Sequence, residues 1–128
     1  MNKKGFTLIE LLAVIIILAV IALIATPIVL NVIDSARRSA AESSAKGFAD
    51  AARLHWIENE FAKTTNINAS SLTSVSVDAI EVQGDAPAGC NTVEFDSEGR
   101  VSFTGCKFGE KYFFNCTSGN VSASTASN

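Results

Sequence analysis

The sequence predicts an α+β fold: one long N-terminal α-helix, apolar in its first half and amphipathic in its second, followed by a small antiparallel β-sheet. Three observations carry this. No charged residue lies between Leu11 and Ile33. Ala41, Ala45, Phe48, Ala52 and Trp56 then recur at helical spacing. Further on, Thr92-Val93-Glu94-Phe95 and Arg100-Val101-Ser102-Phe103-Thr104 flank Asp96-Ser97-Glu98-Gly99, the pattern of a β-hairpin.

In chain order, the first element is the apolar helix. At ~1.5 Å per residue, the stretch from Leu11 to Ile33 reaches about 34 Å, enough for a bilayer core of roughly 30 Å. Ile, Leu, Val and Ala cover every face of it, so it needs lipid or other helices around it. Lys3 and Lys4 precede it and set that end in the cytoplasm, with the remainder outside. A secretory signal peptide has a shorter apolar core and no acid at its start. Glu10 is the anomaly, because an ionised side chain in a membrane is costly and marks a functional site. No Lys, Arg or His lies between Phe6 and Asp34 to pair with it. A cut between Gly5 and Phe6 would supply a cation, the new α-amino group of Phe6. In a straight helix that group lies four residues from Glu10, which allows a contact within the chain. Alternatively, a neighbouring chain shifted along the axis offers its Phe6 amine to this Glu10 and fixes the stagger, as a buried polar residue fixes register in a bundle.

Pro27 lacks an amide donor and crowds the turn before it, which predicts a kink or a loosened helix upstream. From Asp34 to Lys63 the helix continues with one apolar face, extended by Ile57 and Phe61. Thr64 to Ser74 reads as a loop, and Ser74 to Gln83 as a weak strand that changes parity near Asp78, by a bulge or a short turn. In the hairpin, a loop of Ser97 to Gly99 with Gly99 left-handed sets Asp96 opposite Arg100. Phe95 then faces Val101 and Val93 faces Phe103 on one side, while Glu94 meets Ser102 on the other. Extending that register sets Cys90 opposite Cys106, the favoured disulfide. A Cys106–Cys116 bridge closing a second hairpin through Gly109-Glu110 is the alternative. Lys107 to Cys116 supplies a third strand in a sheet of three or four, and 117–128 is a flexible tail. The expected core is Phe48, Trp56, Val93, Phe95, Val101, Phe103 and one or two of the aromatics at 112 to 114.

Composition sets limits. After the long helix, only one small domain below about 70 residues remains, a size that benefits from a cross-link. Three cysteines in the exterior part permit one disulfide and leave an odd thiol. Ten basic against 13 acidic residues give a net charge of −3. That argues against broad nucleic-acid binding by charge, though a local tip site stays open. His55 and the cysteines lack metal-ligand spacing, and no cofactor motif is present. No nucleophile–base pair, phosphate loop or paired acids suggests an enzyme. Asn115-Cys116-Thr117 has the form of a glycosylation sequon.

Lys4-Gly5-Phe6-Thr7-Leu8-Ile9-Glu10-Leu11-Leu12 resembles the prepilin-peptidase site of type IV pilins and of the related pseudopilins of type II secretion and competence systems. The resemblance covers about the first 35 residues. It implies a leader, 1–5, cut after Gly5; N-methylation of Phe6; and Glu10 as the assembly carboxylate. Residues 6–33 become the membrane and filament-core helix, 34–63 its amphipathic half, and 64–128 a β head. Many pilins resemble this chain in the place of Pro27, and in their filaments the helix before it is often extended, which predicts stretched backbone within about Ala19 to Thr26 after assembly. The implied partners are prepilin peptidase, a pilus or secretion assembly platform, the lipid bilayer and further copies of the chain. The implied location is the cytoplasmic membrane, single-pass with the N-terminus inside, and then an extracellular filament. A pseudopilin and a monomeric membrane-anchored binding module are the alternatives to a pilus subunit.

Overall fold

The computed structural model describes residues 5–66 and 70–124. The chain divides into two units, Met1–Ala36 and Arg37–Asn128. Helix α1, Leu8–Thr65, contributes to both. It is the only helix among the described residues long and apolar enough to cross a membrane. In the first unit none of the described residues is buried: Leu8, Leu23 and Ile24 are 87%, 79% and 62% exposed. Pro27 lies inside α1, and helical backbone continues on both sides of it, including 19–26. A proline removes one backbone bond but does not by itself end a helix whose neighbouring turns are intact. One turn earlier, the Thr26 hydroxyl donates to the Ala22 carbonyl at 2.6 Å. The expected kink or loosening therefore does not interrupt the helix in the single subunit.

The second unit packs the later turns of α1 on a five-stranded antiparallel sheet. Its strands are β1 (Ser74–Ser76), β2 (Thr92–Phe95), β3 (Val101–Phe108), β4 (Tyr112–Thr117) and β5 (Asn120–Ala123), side by side in chain order. The parity change near Asp78 is a 3₁₀ turn, Val77–Ala79, directly after β1. The sheet is larger than sequence patterning predicts. β5 falls within the stretch read as a flexible tail; residues 125–128 of that stretch lie outside the described residues. Its four residues, Asn-Val-Ser-Ala, have little bulk to signal a strand, but pairing with β4 from Phe114↔Ala123 to Thr117↔Asn120 supplies the backbone partners.

The β2–β3 register runs through Glu94↔Ser102 and Phe95↔Val101. The turn between them is held mostly by one side chain. Asp96 Oδ1 accepts from the amides of Glu98 and Arg100 at 2.9 and 2.8 Å, and its Oδ2 accepts from Arg100 Nε at 2.6 Å. Gly99 has φ 75°, and a Cβ there would enter the ring of Trp56. Glycine is thus required twice, by backbone conformation and by the approach of the helix's tryptophan.

Strand β3 carries a bulge. Its pairing with β4 shifts by one residue between Phe103↔Cys116 and Cys106↔Phe114. Gly105 sits in the gap with φ 65°, and its amide donates to Asn115 Oδ1 at 2.7 Å in place of a ladder bond. The sequon asparagine is therefore half-buried and engaged in the sheet.

The core lies between one face of α1 and one face of the sheet. Ala41, Ala45, Ala49 and Ala52 bring the backbone of the helix close, and Phe48 inserts between them. Phe48 meets Phe103 and Phe108 with ring centres 5.5 and 6.0 Å apart, and Phe108 meets Phe114 at 6.1 Å. These tilted and edge-on arrangements are the favoured aromatic geometries. Of the expected core, Phe48, Val93, Phe95, Val101 and Phe103 are buried, and Phe114 is the buried aromatic of the 112 to 114 set. Trp56 is half-buried at the edge. Phe108, 2% exposed, joins the core because the bulge returns β3 to inward parity beyond Gly105.

Two consequences are measurable. Replacing Gly99 with alanine should destabilise the second unit by about 2 kcal/mol or more, from the left-handed backbone and the collision together. Thermal denaturation followed by Trp56 fluorescence measures it; an unchanged midpoint would mean that Trp56 does not rest on the turn. The bonds from Arg100, side chain first and then amide, hold the Asp96 carboxyl below its usual pKa. A depressed folded-state pKa gives stability that is present above the unfolded-state value of about 3.9 and lost as pH falls through the folded-state value. Asp96→Asn should therefore lower the melting point at neutral pH, and the gap from wild type should close below about pH 4.

Candidate processing and assembly site

Gly5, Phe6 and Thr7 precede α1 in irregular, exposed backbone. Phe6 is 92% exposed. Gly5 has no left-handed φ, and a Cβ on it would meet nothing within 4 Å. Among the described residues, neither backbone conformation nor packing requires glycine here. The bond between Gly5 and Phe6 is sterically open, and an open, non-helical segment is what a peptidase can draw into an active site.

Helix α1 begins with a reciprocal cap. The Glu10 amide donates to Thr7 Oγ1 at 3.3 Å, and Glu10 Oε2 accepts from the Thr7 amide at 2.8 Å. This is the capping box of a Thr-x-x-Glu sequence, which satisfies two amides that a helix start leaves over. The carboxylate also lies in the first turn, at the positive end of the helix dipole. Thr7 is the partner of Glu10 that a search for a cation overlooks, although the spacing Thr7-Leu8-Ile9-Glu10 already carries the signal. The acid is not stranded before any cut is made. One of its oxygens is committed to Thr7, and it has no bond to a cation among the described residues. Phe6, whose nitrogen would become the new amine, adjoins Thr7 in the chain.

The remaining candidate residues lie elsewhere. Pro27 is within α1. Cys90 and Cys106 are joined by a disulfide, and the alternative Cys106–Cys116 bridge is absent. The bridge closes a 16-residue separation, which contributes about 3 kcal/mol by restricting the unfolded chain. Cys116 is free and buried, its thiol facing the Val101 carbonyl at 3.3 Å, and burial pushes its pKa up. A thiol that stays protonated and shielded is a poor nucleophile. No group of three or more His, Cys, Asp or Glu suited to a metal occurs among the described residues.

Comparison with known proteins locates this signal. Residues 1–26 match the family described as the prokaryotic N-terminal methylation motif, the prepilin signature of type IV pilins and pseudopilins. Nothing matches the chain among curated proteins or among solved structures. Residues 1–26 therefore carry a methylation motif of the kind that pilins and pseudopilins share. That class shares its N-terminal segment across pili, secretion and competence systems, so the match leaves the particular machine open.

Loss of the cap should be visible directly. Thr7→Ala removes the acceptor for the Glu10 amide and should speed its hydrogen exchange about fivefold, as expected for a capping contribution near 1 kcal/mol. Thr7→Ser should keep wild-type protection. Equal exchange in wild type and Thr7→Ala, measured on the full chain in detergent micelles, would show that the cap does not form.

Proposed function

We propose that this chain is a structural subunit of a type IV pilus, held in the cytoplasmic membrane and then polymerised into a helical surface filament through residues 6–33. The single observation that carries this reading is a prepilin methylation motif joined to a helix with no buried residue over its apolar half. Such a surface needs a bilayer, sister helices, or each in turn. The net charge of −3 counts Lys3 and Lys4, so without them eight basic residues face 13 acidic ones and the mature chain carries −5.

Processing prepares the second state. Prepilin peptidase cuts between Gly5 and Phe6, and methylation of the Phe6 nitrogen preserves its positive charge. Glu10 then gains a partner it lacked. Its Oε2 is held by Thr7, and the carboxylate offers its other oxygen to a neighbour's Phe6 ammonium. Leaving the bilayer exchanges lipid contacts for protein contacts of similar polarity, so apolar burial alone gives little net drive to assembly. The charge pair adds direction, because it forms only at one stagger between chains. The helix before Pro27 lengthens as subunits pack, since the Leu23 carbonyl already lacks a proline amide to bond. The β head lies outside, where the Cys90–Cys106 bridge is stable. An assembly platform in the membrane passes subunits to the filament. In the pseudopilin reading the same steps serve a secretion or DNA-uptake machine.

Intact mass and N-terminal sequencing of the mature protein should show a chain beginning at Phe6 with one added methyl group. Glu10→Ala should still enter the membrane but yield at least tenfold less sheared filament, by electron microscopy and immunoblot, than wild type. Mature protein beginning at Met1, or wild-type filament yield from Glu10→Ala, would overturn the reading. Filaments on the cell surface at natural expression favour the pilus over the pseudopilin.

A further inference from the structure

The second unit contains a cleft of about 300 Å³ between the start of its helix and the β3–β4 turn. Its apolar lining includes Ala41 and Phe108. Around it stand charges of both signs: Arg37 and Lys111, Asp85 and Glu110. Tyr112 completes the wall, with Lys111 Nζ 5.5 Å from its ring centre. This is a small pocket with an apolar base and paired opposite charges, sized at the lower end of ligand-binding cavities.

Two features narrow the occupant. Arg37 follows Ile33, the end of the uncharged run, by four residues, so whatever the angle of the head it lies within about 14 Å of the apolar segment's end. Arg37 meets Glu110 of the β3–β4 turn at 3.9 Å. Both side chains of this pair are largely exposed, so it is a weak contact that parts readily for a competing ion. Tyrosine and long basic side chains are residues that suit a membrane interface.

We propose that this cleft holds the headgroup of a zwitterionic phospholipid, with its phosphate at Arg37 and Lys111 and its ammonium at Asp85 and Glu110, while the subunit waits in the bilayer. The inference rests on the reading that residues 11–33 cross a membrane. A purely anionic headgroup satisfies the two cations but leaves the acids facing negative charge, and a neutral one satisfies neither. Extraction of the subunit into a filament requires release of the bound lipid.

Native mass spectrometry of the full chain in neutral detergent micelles, titrated with phosphatidylethanolamine, phosphatidylglycerol or diacylglycerol, tests this. Wild type should retain phosphatidylethanolamine over the other two. Arg37→Gln with Lys111→Gln should lower that retention about tenfold, the loss expected for one charge-assisted hydrogen bond. Glu110→Gln should erase the preference over phosphatidylglycerol, and Lys46→Gln, the same charge change outside the cleft, should leave retention unchanged. Equal retention of all three lipids by wild type, or wild-type retention by the double variant with an unaltered circular dichroism spectrum, would overturn the proposal. Release of wild-type protein from membranes by alkaline carbonate would instead overturn the spanning reading itself.

Discussion

The folded unit depends on one contact, the burial of Ala41, Ala45, Phe48, Ala49 and Ala52 against the inner face of the sheet. The alanines let the helix backbone approach, and Phe48 fills the space between Phe103 and Phe108. A domain this small has no second core to fall back on. The remaining devices secure the sheet that this face needs: the Asp96 turn, the Gly105 bulge bonded to Asn115, and the Cys90–Cys106 bridge.

The same helix serves a second environment by a change of pattern alone. Up to Ile33 it is apolar all round and none of its described residues is buried; from Ala41 only one stripe is buried. No extra structural element marks the change. The proposed passage from membrane to filament would leave the head folded, because the contacts that stabilise the head are made by later turns of α1. The charged and capped features cluster where the environment changes: Thr7 and Glu10 at the helix start, and Arg37 just after the apolar run.

Glu10 illustrates how a local rule can alter a long-range argument. Considered alone in a greasy segment, it calls for a cation. Within Thr7-Leu8-Ile9-Glu10 it closes a capping box, so the uncut chain holds it with a backbone amide. In the proposed filament, the partnership with a sister chain's Phe6 amine would be an added bond, made by an oxygen that the cap leaves over. Under that proposal one carboxylate serves helix initiation in the uncut chain and axial register in the filament.

Much was legible in the sequence because it is written at short range. Charge-free length gave the apolar helix, 3.6-residue spacing gave its amphipathic continuation, and the sorting of Val93, Phe95, Val101 and Phe103 gave the hairpin register and the opposition of Cys90 and Cys106. The motif around Gly5, Phe6 and Glu10 was readable for the same reason. What stayed hidden was decided by contacts between residues far apart in the chain. β5 has no strand-like side chains and exists through pairing with β4. Phe108 turns inward because a bulge shifts parity, and Gly99 is confined by a tryptophan more than forty positions earlier. The cleft beside Arg37 forms only when the β3–β4 turn folds back onto the helix. Local pattern therefore fixed most of the elements and the methylation motif, whereas tertiary packing alone decided the sheet's extent and the place where distant charges meet, since a side chain's surroundings are set by the folded chain and not by its neighbours in sequence.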